Sequence, residues 1–257
     1  MNPLLDLGAR PVIGHRGAAG LAPENTMAGF RLAAELGVDA FELDVQLTAD
    51  GAPVVLHDDT LDRTTDRAGP VAALTLGELR AADAGARFSP DGGRTFPFRG
   101  RDVRVPTLGE VLWAFPAMPV LVELKHAAAQ EAVRRVLEQE GAIERCVLAA
   151  ADPAALEAFR DPPYACAASG PEIAALYRAV LLRRRPPAPR YRCLSVPERW
   201  RGLPVPTAGF IRMAGALGCP VHVWTVDRPS AARRYWGRGA CGMVTNVPGV
   251  IREGRKD

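Results

Sequence analysis

The sequence lacks the long apolar runs that membrane-spanning helices need. No stretch reaches the roughly 18 consecutive apolar residues of a membrane span. The first ten residues also lack the basic segment and the apolar core of a secretory leader. We therefore expect a chain that has neither a membrane span nor an export signal.

Paired cysteine motifs and a strong excess of charge are missing as well. The five cysteines never form a Cys-x-x-Cys pair, so we expect buried free thiols in a reducing, cytoplasmic setting. The net charge is only +3, which is small for a nucleic-acid-binding domain. The small net charge predicts that nucleic acid is not a partner, and these observations leave the oligomeric state open.

The 257 residues have an ordinary globular composition, with 48% hydrophobic and 24% charged residues. Short apolar segments alternate with amphipathic ones, which predicts α/β architecture, a (β/α)₈ TIM barrel formed as a single domain over residues 1–257. The eight predicted strands are Val12–His15, Ala40–Leu47, Val120–Lys125, Cys146–Ala150, Tyr164–Ala168, Arg192–Val196, Val221–Val226 and Gly242–Asn246.

Two features interrupt this alternation after the second strand. Asp50-Gly51 is typical of a tight hairpin turn, so residues 54–57 are predicted to return as an arm that brings His57 over the barrel mouth. Residues 58–105 have no strand–helix rhythm and are rich in turn-forming residues. We predict that they form a small insertion after the hairpin arm and cap the mouth.

Three acidic residues lie at the ends of predicted strands. Glu42 and Asp44 are two positions apart, so both side chains point to one face of their strand, and Glu123 occupies an equivalent place on a later strand. Buried carboxylates need a positive partner. The three residues suit one divalent cation, Mg²⁺ or Ca²⁺; structural ion pairs with arginine or lysine are the alternative.

Two of the four histidines are predicted to reach the same mouth, where barrel enzymes carry their chemistry. His15 ends the first strand and His57 ends the arm, and two imidazoles can act as base and acid near neutral pH. Arg16 and Lys125 add positive charge that suits a phosphate group, or that pairs with the acids. Trp224, at a strand end, suits contact with the carbon part of a ligand, with core packing as the alternative.

Motifs along nearly the whole chain resemble those of the glycerophosphodiester phosphodiesterase family. They are His15-Arg16-Gly17, Pro23-Glu24-Asn25-Thr26, Glu42-Leu43-Asp44-Val45, Val54-Val55-Leu56-His57-Asp58, Leu61-Asp62-Arg63-Thr64-Thr65, Pro106-Thr107-Leu108-Gly109-Glu110, Glu123-Leu124-Lys125, Val223-Trp224-Thr225-Val226 and Val244-Thr245-Asn246. The resemblance implies a TIM barrel that hydrolyses glycerophosphodiesters such as glycerophosphocholine and glycerophosphoethanolamine to sn-glycerol 3-phosphate and an alcohol.

The resemblance also implies roles for individual residues. It implies a cation on Glu42, Asp44 and Glu123, acid–base roles for His15 and His57, phosphate binding by Arg16 and Lys125, and an ordering role for Glu24 and Asn25. Asn246 stands where the family commonly has aspartate, and we expect this difference to affect substrate preference without touching the metal or proton-transfer residues. Two alternatives remain: a lysophospholipase D-type enzyme, which would prefer an apolar entrance, and a non-catalytic barrel that binds phosphorylated ligands.

Overall fold

A computed structural model describes residues 2–255 and contains ten strands. They are β1 (Val12–Gly14), β2 (Ala40–Leu47), β3 (Pro53–Val55), β4 (Val120–Leu124), β5 (Cys146–Ala149), β6 (Leu194–Pro197), β7 (Arg199–Trp200), β8 (Leu203–Pro204), β9 (Val221–Trp224) and β10 (Gly242–Thr245). Seven of them pair in parallel in the order β5-β4-β2-β1-β10-β9-β6.

The gap between β5 and β6 is bridged by a very short segment. Cys166 and Ala167 form single parallel bridges to Leu148 and Cys193, so the predicted TIM barrel is confirmed. The prediction of a full strand over Tyr164–Ala168 is wrong. Prolines lie just before this segment and have no amide hydrogen to donate, and Ser169 just after it already caps the helix that begins at Gly170.

The described residues also form eight α-helices. They are α1 (Met27–Glu35), α2 (Leu76–Leu79), α3 (Leu108–Ala114), α4 (Gln130–Gln139), α5 (Gly170–Leu181), α6 (Ala208–Ala216), α7 (Pro229–Gly237) and α8 (Pro248–Glu253). The segment Pro153–Phe159 forms a 3₁₀ helix that Asp152 caps. Among residues 2–255, no helix combines the length and hydrophobicity that crossing a bilayer demands.

The two faces of β2 have different environments. Phe41 and Leu43 belong to the large outer core between strands and helices, whereas Ala40 belongs to the small cluster inside the barrel. Because side chains alternate along a strand, Glu42 and Asp44 share the inner face with Ala40. The prediction that both acids point into the barrel is confirmed.

The predicted hairpin after β2 is confirmed as well, since β3 pairs antiparallel with β2. Gly51 has a φ of 77° at the turn, a conformation that glycine adopts without strain. The following segment, residues 58–105, holds α2 and a 3₁₀ turn and forms a separate apolar core around Leu56, Leu61 and Leu79. That this insertion caps the mouth, and that 1–257 is one domain, stay predictions; residues 1, 256 and 257 lie outside the described part.

Candidate active site

Three carboxylates converge at the carboxyl ends of β2 and β4. Asp44 and Glu123 are partners in the parallel ladder, and Glu42 lies one inward position earlier on β2. Oxygen atoms of all three lie within 4.8 Å of one another. Glu42 and Asp44 are buried, while Glu123 is partly open to the barrel mouth.

Two cationic side chains contact these acids. Lys125 Nζ lies 2.7 Å from both Asp44 Oδ1 and Glu123 Oε1. Arg16 Nε lies 3.2 Å from Asp44 Oδ2, and the Arg16 backbone N–H donates to Glu42 Oε2 at 2.9 Å. The ion pairs named as the alternative to a metal site are therefore present.

These ion pairs still leave the cluster fit for a divalent cation. Two cationic side chains face three carboxylates, and Arg16 also pairs with a fourth acid, Glu24, at 2.8 Å. Asp44 Oδ1 is close to Lys125 but has no hydrogen bond of acceptable geometry. An oxygen-rich cluster with excess negative charge and an unsatisfied buried oxygen suits a hard divalent ion.

The electrostatic environment shifts the pKa values of the two buried acids in opposite directions. Burial, reinforced by the charges of Asp44 and Glu123, raises the pKa of Glu42 well above its usual value. Burial also opposes ionisation of Asp44, but the Lys125 and Arg16 charges outweigh it and lower the pKa of Asp44. A cation bound at this cluster would favour the ionised form of Glu42 in the same way.

The loop after β1 fixes Arg16 against the acids. Arg16 and Asn25 both adopt left-handed backbone conformations, with φ of 50° and 55°, and the Asn25 backbone N–H donates to the Arg16 carbonyl at 3.0 Å. The Asn25 side-chain amide donates to Asp44 Oδ2 at 2.9 Å. Gly17 permits this path, because a Cβ there would lie 2.7 Å from the Gly29 carbonyl carbon.

His15 is oriented by an amide. Its Nδ1 lies 2.7 Å from Asn246 Oδ1, and Asn246 Nδ2 donates to Asp227 Oδ2 at 2.8 Å. A carboxylate only accepts hydrogen bonds, so the amide nitrogen faces Asp227 and the amide oxygen accepts from His15 Nδ1–H. The proton of neutral His15 is thereby held on Nδ1, which leaves Nε2 as an acceptor.

Burial, assisted by the charge of Arg16, lowers the pKa of His15 below its usual value and favours this neutral form. The prediction that Asn246 would not contact the metal or proton-transfer residues is wrong. The reason is geometric: Asn246 directly follows β10, which pairs with β1, so it meets the residue that follows β1.

His57 is oriented by a carboxylate. Its Nδ1 lies 2.6 Å from Asp58 Oδ1, and Arg63 Nε donates to Asp58 Oδ2 at 2.6 Å. The Arg63 hydrogen bond, with a smaller contribution from His57, lowers the pKa of Asp58 to about 2. Arg63 also donates twice to Glu24 at 2.7 Å, so a continuous ionic chain connects the insertion to Arg16.

One cavity of about 830 Å³ unites these groups. Seven of the eight predicted site residues line it, namely His15, Arg16, Glu42, His57, Glu123, Lys125 and Trp224. The eighth, Asp44, lies beneath it in contact with Arg16 and Lys125. The sequence thus identified a set that the fold assembles, whereas the role of each member stays a prediction.

Sequence reasoning assigned no role to Asp58, Arg63 or Asp227. Asp58 and Arg63 lie in motifs that resemble those of the family, and Asp227 directly follows a predicted strand. These positions were the signal in the sequence that could have identified the three residues. The two histidines left without a role lie elsewhere: His126 is exposed beside Asp59, and His222 is buried. Burial lowers the pKa of His222 to about 4, and its Nε2 lies 2.9 Å from a backbone carbonyl.

Comparison with known proteins gives a consistent result. Residues 15–250 match the Glycerophosphoryl diester phosphodiesterase family. A Glycerophosphodiester phosphodiesterase of Caldanaerobacter subterraneus is 32% identical over 93% of this chain and 95% of its own, and YhdW of Bacillus subtilis is 34% identical over 96% and 98%. An Oleispira antarctica phosphodiesterase, solved with its product sn-glycerol-3-phosphate, superposes with a TM-score of 0.77 at 26% identity, covering 97% of this chain and 98% of that one.

Proposed function

Because the chain belongs to the glycerophosphoryl diester phosphodiesterase family and is therefore a phosphoric diester hydrolase, we propose that it hydrolyses glycerophosphodiesters such as glycerophosphocholine and glycerophosphoethanolamine. The products would be sn-glycerol 3-phosphate and the head-group alcohol. The observation that carries this proposal is the convergence of three carboxylates and two separately oriented histidines on one cavity.

The phosphate is bound next to the acidic cluster in this proposal. Arg16 and Lys125 line the cavity and supply charged donors to the non-bridging phosphate oxygens. A divalent cation held by Glu42, Asp44 and Glu123, Mg²⁺ or Ca²⁺, would add the positive charge that stabilises these oxygens during the reaction. Trp224 contacts the carbon part of the substrate at the open side of the cavity.

The two histidines divide the proton transfers. His15 is the base: its Nδ1 proton is engaged by Asn246, so its free Nε2 accepts a proton from the attacking water or glycerol 2-hydroxyl. His57 is the acid: the Asp58 carboxylate accepts from its Nδ1–H and orients the ring, so that Nε2 carries the proton that is transferred. His57 then donates a proton to the departing alcohol oxygen.

Two further expectations belong to this proposal. A barrel that only binds phosphorylated ligands would not need a base and an acid held by different partners, so turnover is favoured over simple binding. All five cysteines are free and buried, which supports a reducing, cytoplasmic setting.

The test measures release of glycerol 3-phosphate from glycerophosphocholine and glycerophosphoethanolamine with Mg²⁺, with Ca²⁺ and with EDTA. We expect release that depends on the cation and that His57→Ala abolishes. His126→Ala is the matched control, because the ring of this exposed histidine bonds to Asp59 and does not line the cavity. Release that persists in EDTA, or in His57→Ala, would contradict the proposed mechanism.

A further inference from the structure

A second cavity, separate from the one that holds the acidic cluster, lies beside the β7–β8 hairpin. Its volume is about 620 Å³, within the roughly 300–1,000 Å³ range of small-molecule sites. We call it the arginine cavity, because its charged lining residues are four arginines and one glutamate, namely Arg199, Arg228, Arg234, Arg238 and Glu198. Its surplus of three positive charges equals the net charge of the whole chain, so the remaining charges of the chain balance.

The β7–β8 hairpin separates the two cavities. Arg199 pairs with Pro204, and Trp200 pairs with Leu203. Cross-strand partners point to one face of a hairpin, and successive residues point to opposite faces. Arg199 and Pro204 line the arginine cavity, whereas Trp200 and Leu203 line the cavity of the acidic cluster. No described residue lines both cavities, so a ligand in the arginine cavity would occupy a site distinct from the proposed catalytic one.

The protein neutralises little of the positive charge in the arginine cavity. Glu198 lies 3.7 Å from Arg234, beyond the usual length of a charge-assisted hydrogen bond. Arg199 donates to a backbone carbonyl at 2.8 Å, which carries no net charge. Within residues 2–255, the side chains of Arg228 and Arg238 have neither an ion pair nor a hydrogen bond. An anion in the cavity can therefore accept hydrogen bonds from both.

The positions of three of these arginines in α7 are unfavourable without an anion. Arg228 is the N-cap of α7 and makes no side-chain capping bond, and a positive charge at that end of a helix opposes the helix dipole. Arg234 and Arg238 are four positions apart, so they are neighbours on the helix surface and their like charges repel. A bound anion would offset both effects, which indicates that these arginines serve a ligand rather than the stability of α7.

The uncharged lining residues indicate that this anion has an organic part. Inorganic phosphate would fill only a small part of about 620 Å³. Pro204, Ala208 and Tyr235 add apolar and aromatic surface, and the Arg234 guanidinium lies 5.0 Å from the centre of the Tyr235 ring, within the range of a cation–π contact. The charge surplus favours phosphate over a carboxylate, since a phosphate monoester carries nearly two negative charges at neutral pH.

We propose that the arginine cavity binds a small organic phosphate with two or more negative charges. The guanidinium groups hold the phosphate through paired N–H donors, and Pro204 and Ala208 contact the organic part. This site goes beyond the proposed hydrolysis, because it shares no lining residue with the catalytic cavity. Its test needs binding alone, so failure of the proposed hydrolysis would leave the test unaffected.

Calorimetry in EDTA at low salt tests the site with adenosine diphosphate (ADP), inorganic phosphate and uncharged adenosine. We expect ADP to bind the wild type at least about tenfold more tightly than either other probe, equivalent to about 1.4 kcal/mol. Arg228→Gln combined with Arg238→Gln should weaken ADP binding by at least about tenfold. Arg10→Gln combined with Arg31→Gln is the matched control, because it removes two exposed arginines that line neither cavity, and it should bind ADP as the wild type does.

Lys125→Met shows which cavity holds ADP, because Lys125 lines only the catalytic one. It should keep the ADP binding that the Arg228 and Arg238 double variant loses. Thermal denaturation without ligand should give this double variant a Tm at least equal to that of the wild type, since it loses unfavourable charges.

Three results would overturn the proposal. The first is ADP binding that Lys125→Met loses and the Arg228 and Arg238 double variant keeps, which would place ADP in the catalytic cavity. The second is equal affinity for ADP and for inorganic phosphate or adenosine, which would remove the organic part or the charge from the recognition. The third is the absence of binding heat for both phosphates at millimolar concentration.

Discussion

Replacing Lys125 with methionine tests whether the acidic cluster is a cation site or a purely structural set of ion pairs. The Lys125 side chain is 14% exposed and contacts both Asp44 and Glu123 at 2.7 Å. Removing one partner of a buried pair leaves uncompensated charge and costs about 3–5 kcal/mol. At about 2–4 °C per kcal/mol for a chain of this size, we expect Tm in EDTA to fall by about 6–20 °C.

A divalent cation should restore part of this loss. Without the ammonium, Asp44 and Glu123 attract a cation more strongly, and each tenfold gain in affinity returns about 1.4 kcal/mol, or about 3–6 °C. The assay is thermal denaturation of wild type and variant in EDTA and in saturating Mg²⁺ or Ca²⁺. The difference between the two proteins should shrink when the cation is present.

Arg160→Met provides the matched control. Arg160 is 3% exposed and pairs with Glu172 at 3.0 Å, so its replacement also breaks a buried ion pair, but one outside the acidic cluster. Its loss of Tm should be the same with and without the cation. If the loss of Tm in Lys125→Met is also the same with and without the cation, the acids bind no cation and the ion pairs are structural.

Other predictions address the reacting groups. Glu42→Gln should abolish cation-supported turnover and the heat of cation binding in calorimetry; retained binding heat would remove Glu42 from the cation site. His15→Ala and His57→Ala should each lower kcat by at least about a hundredfold, with His126→Ala near wild type. Because burial lowers the pKa of His15 and a base must be neutral, the acidic limb of kcat/KM should have its midpoint below pH 6.5; a midpoint above that value would contradict the assignment. Asn246→Ala should lower kcat about tenfold with KM unchanged, and an effect on KM alone would rule out its proposed positioning of His15.

The acidic cluster could be predicted because the information is local. Glu42 and Asp44 alternate with apolar residues, and alternation along a strand determines which side chains share a face. Glu123 repeats the pattern on the strand that pairs with β2. Two-residue spacing within one barrel strand thus places Glu42 and Asp44 on the inner face before any tertiary contact is known, and Glu123 was expected at the same rim because it lies near the end of a later apolar strand.

The partner of His15 could not be predicted in the same way. His15 and Asn246 are 231 positions apart, and their contact depends on the closure of the barrel between β1 and β10. The wall of the cavity that Ala149, Ala168 and Ala174 line was missed for a related reason. Each alanine is unremarkable by itself, and only their convergence opposite the β7–β8 hairpin leaves open space.

The separate core of the insertion has a consequence for heat inactivation. His57 follows Leu56, which packs in that core, whereas His15 and its partner Asn246 are attached to the barrel strands β1 and β10. We therefore expect the insertion to open as a smaller cooperative unit, because local units open with a lower free energy than the whole domain. Opening of the insertion alone would separate the acid from the base while the barrel stays folded. Activity should then disappear on heating at a lower temperature than the barrel's secondary structure, and it should return on cooling.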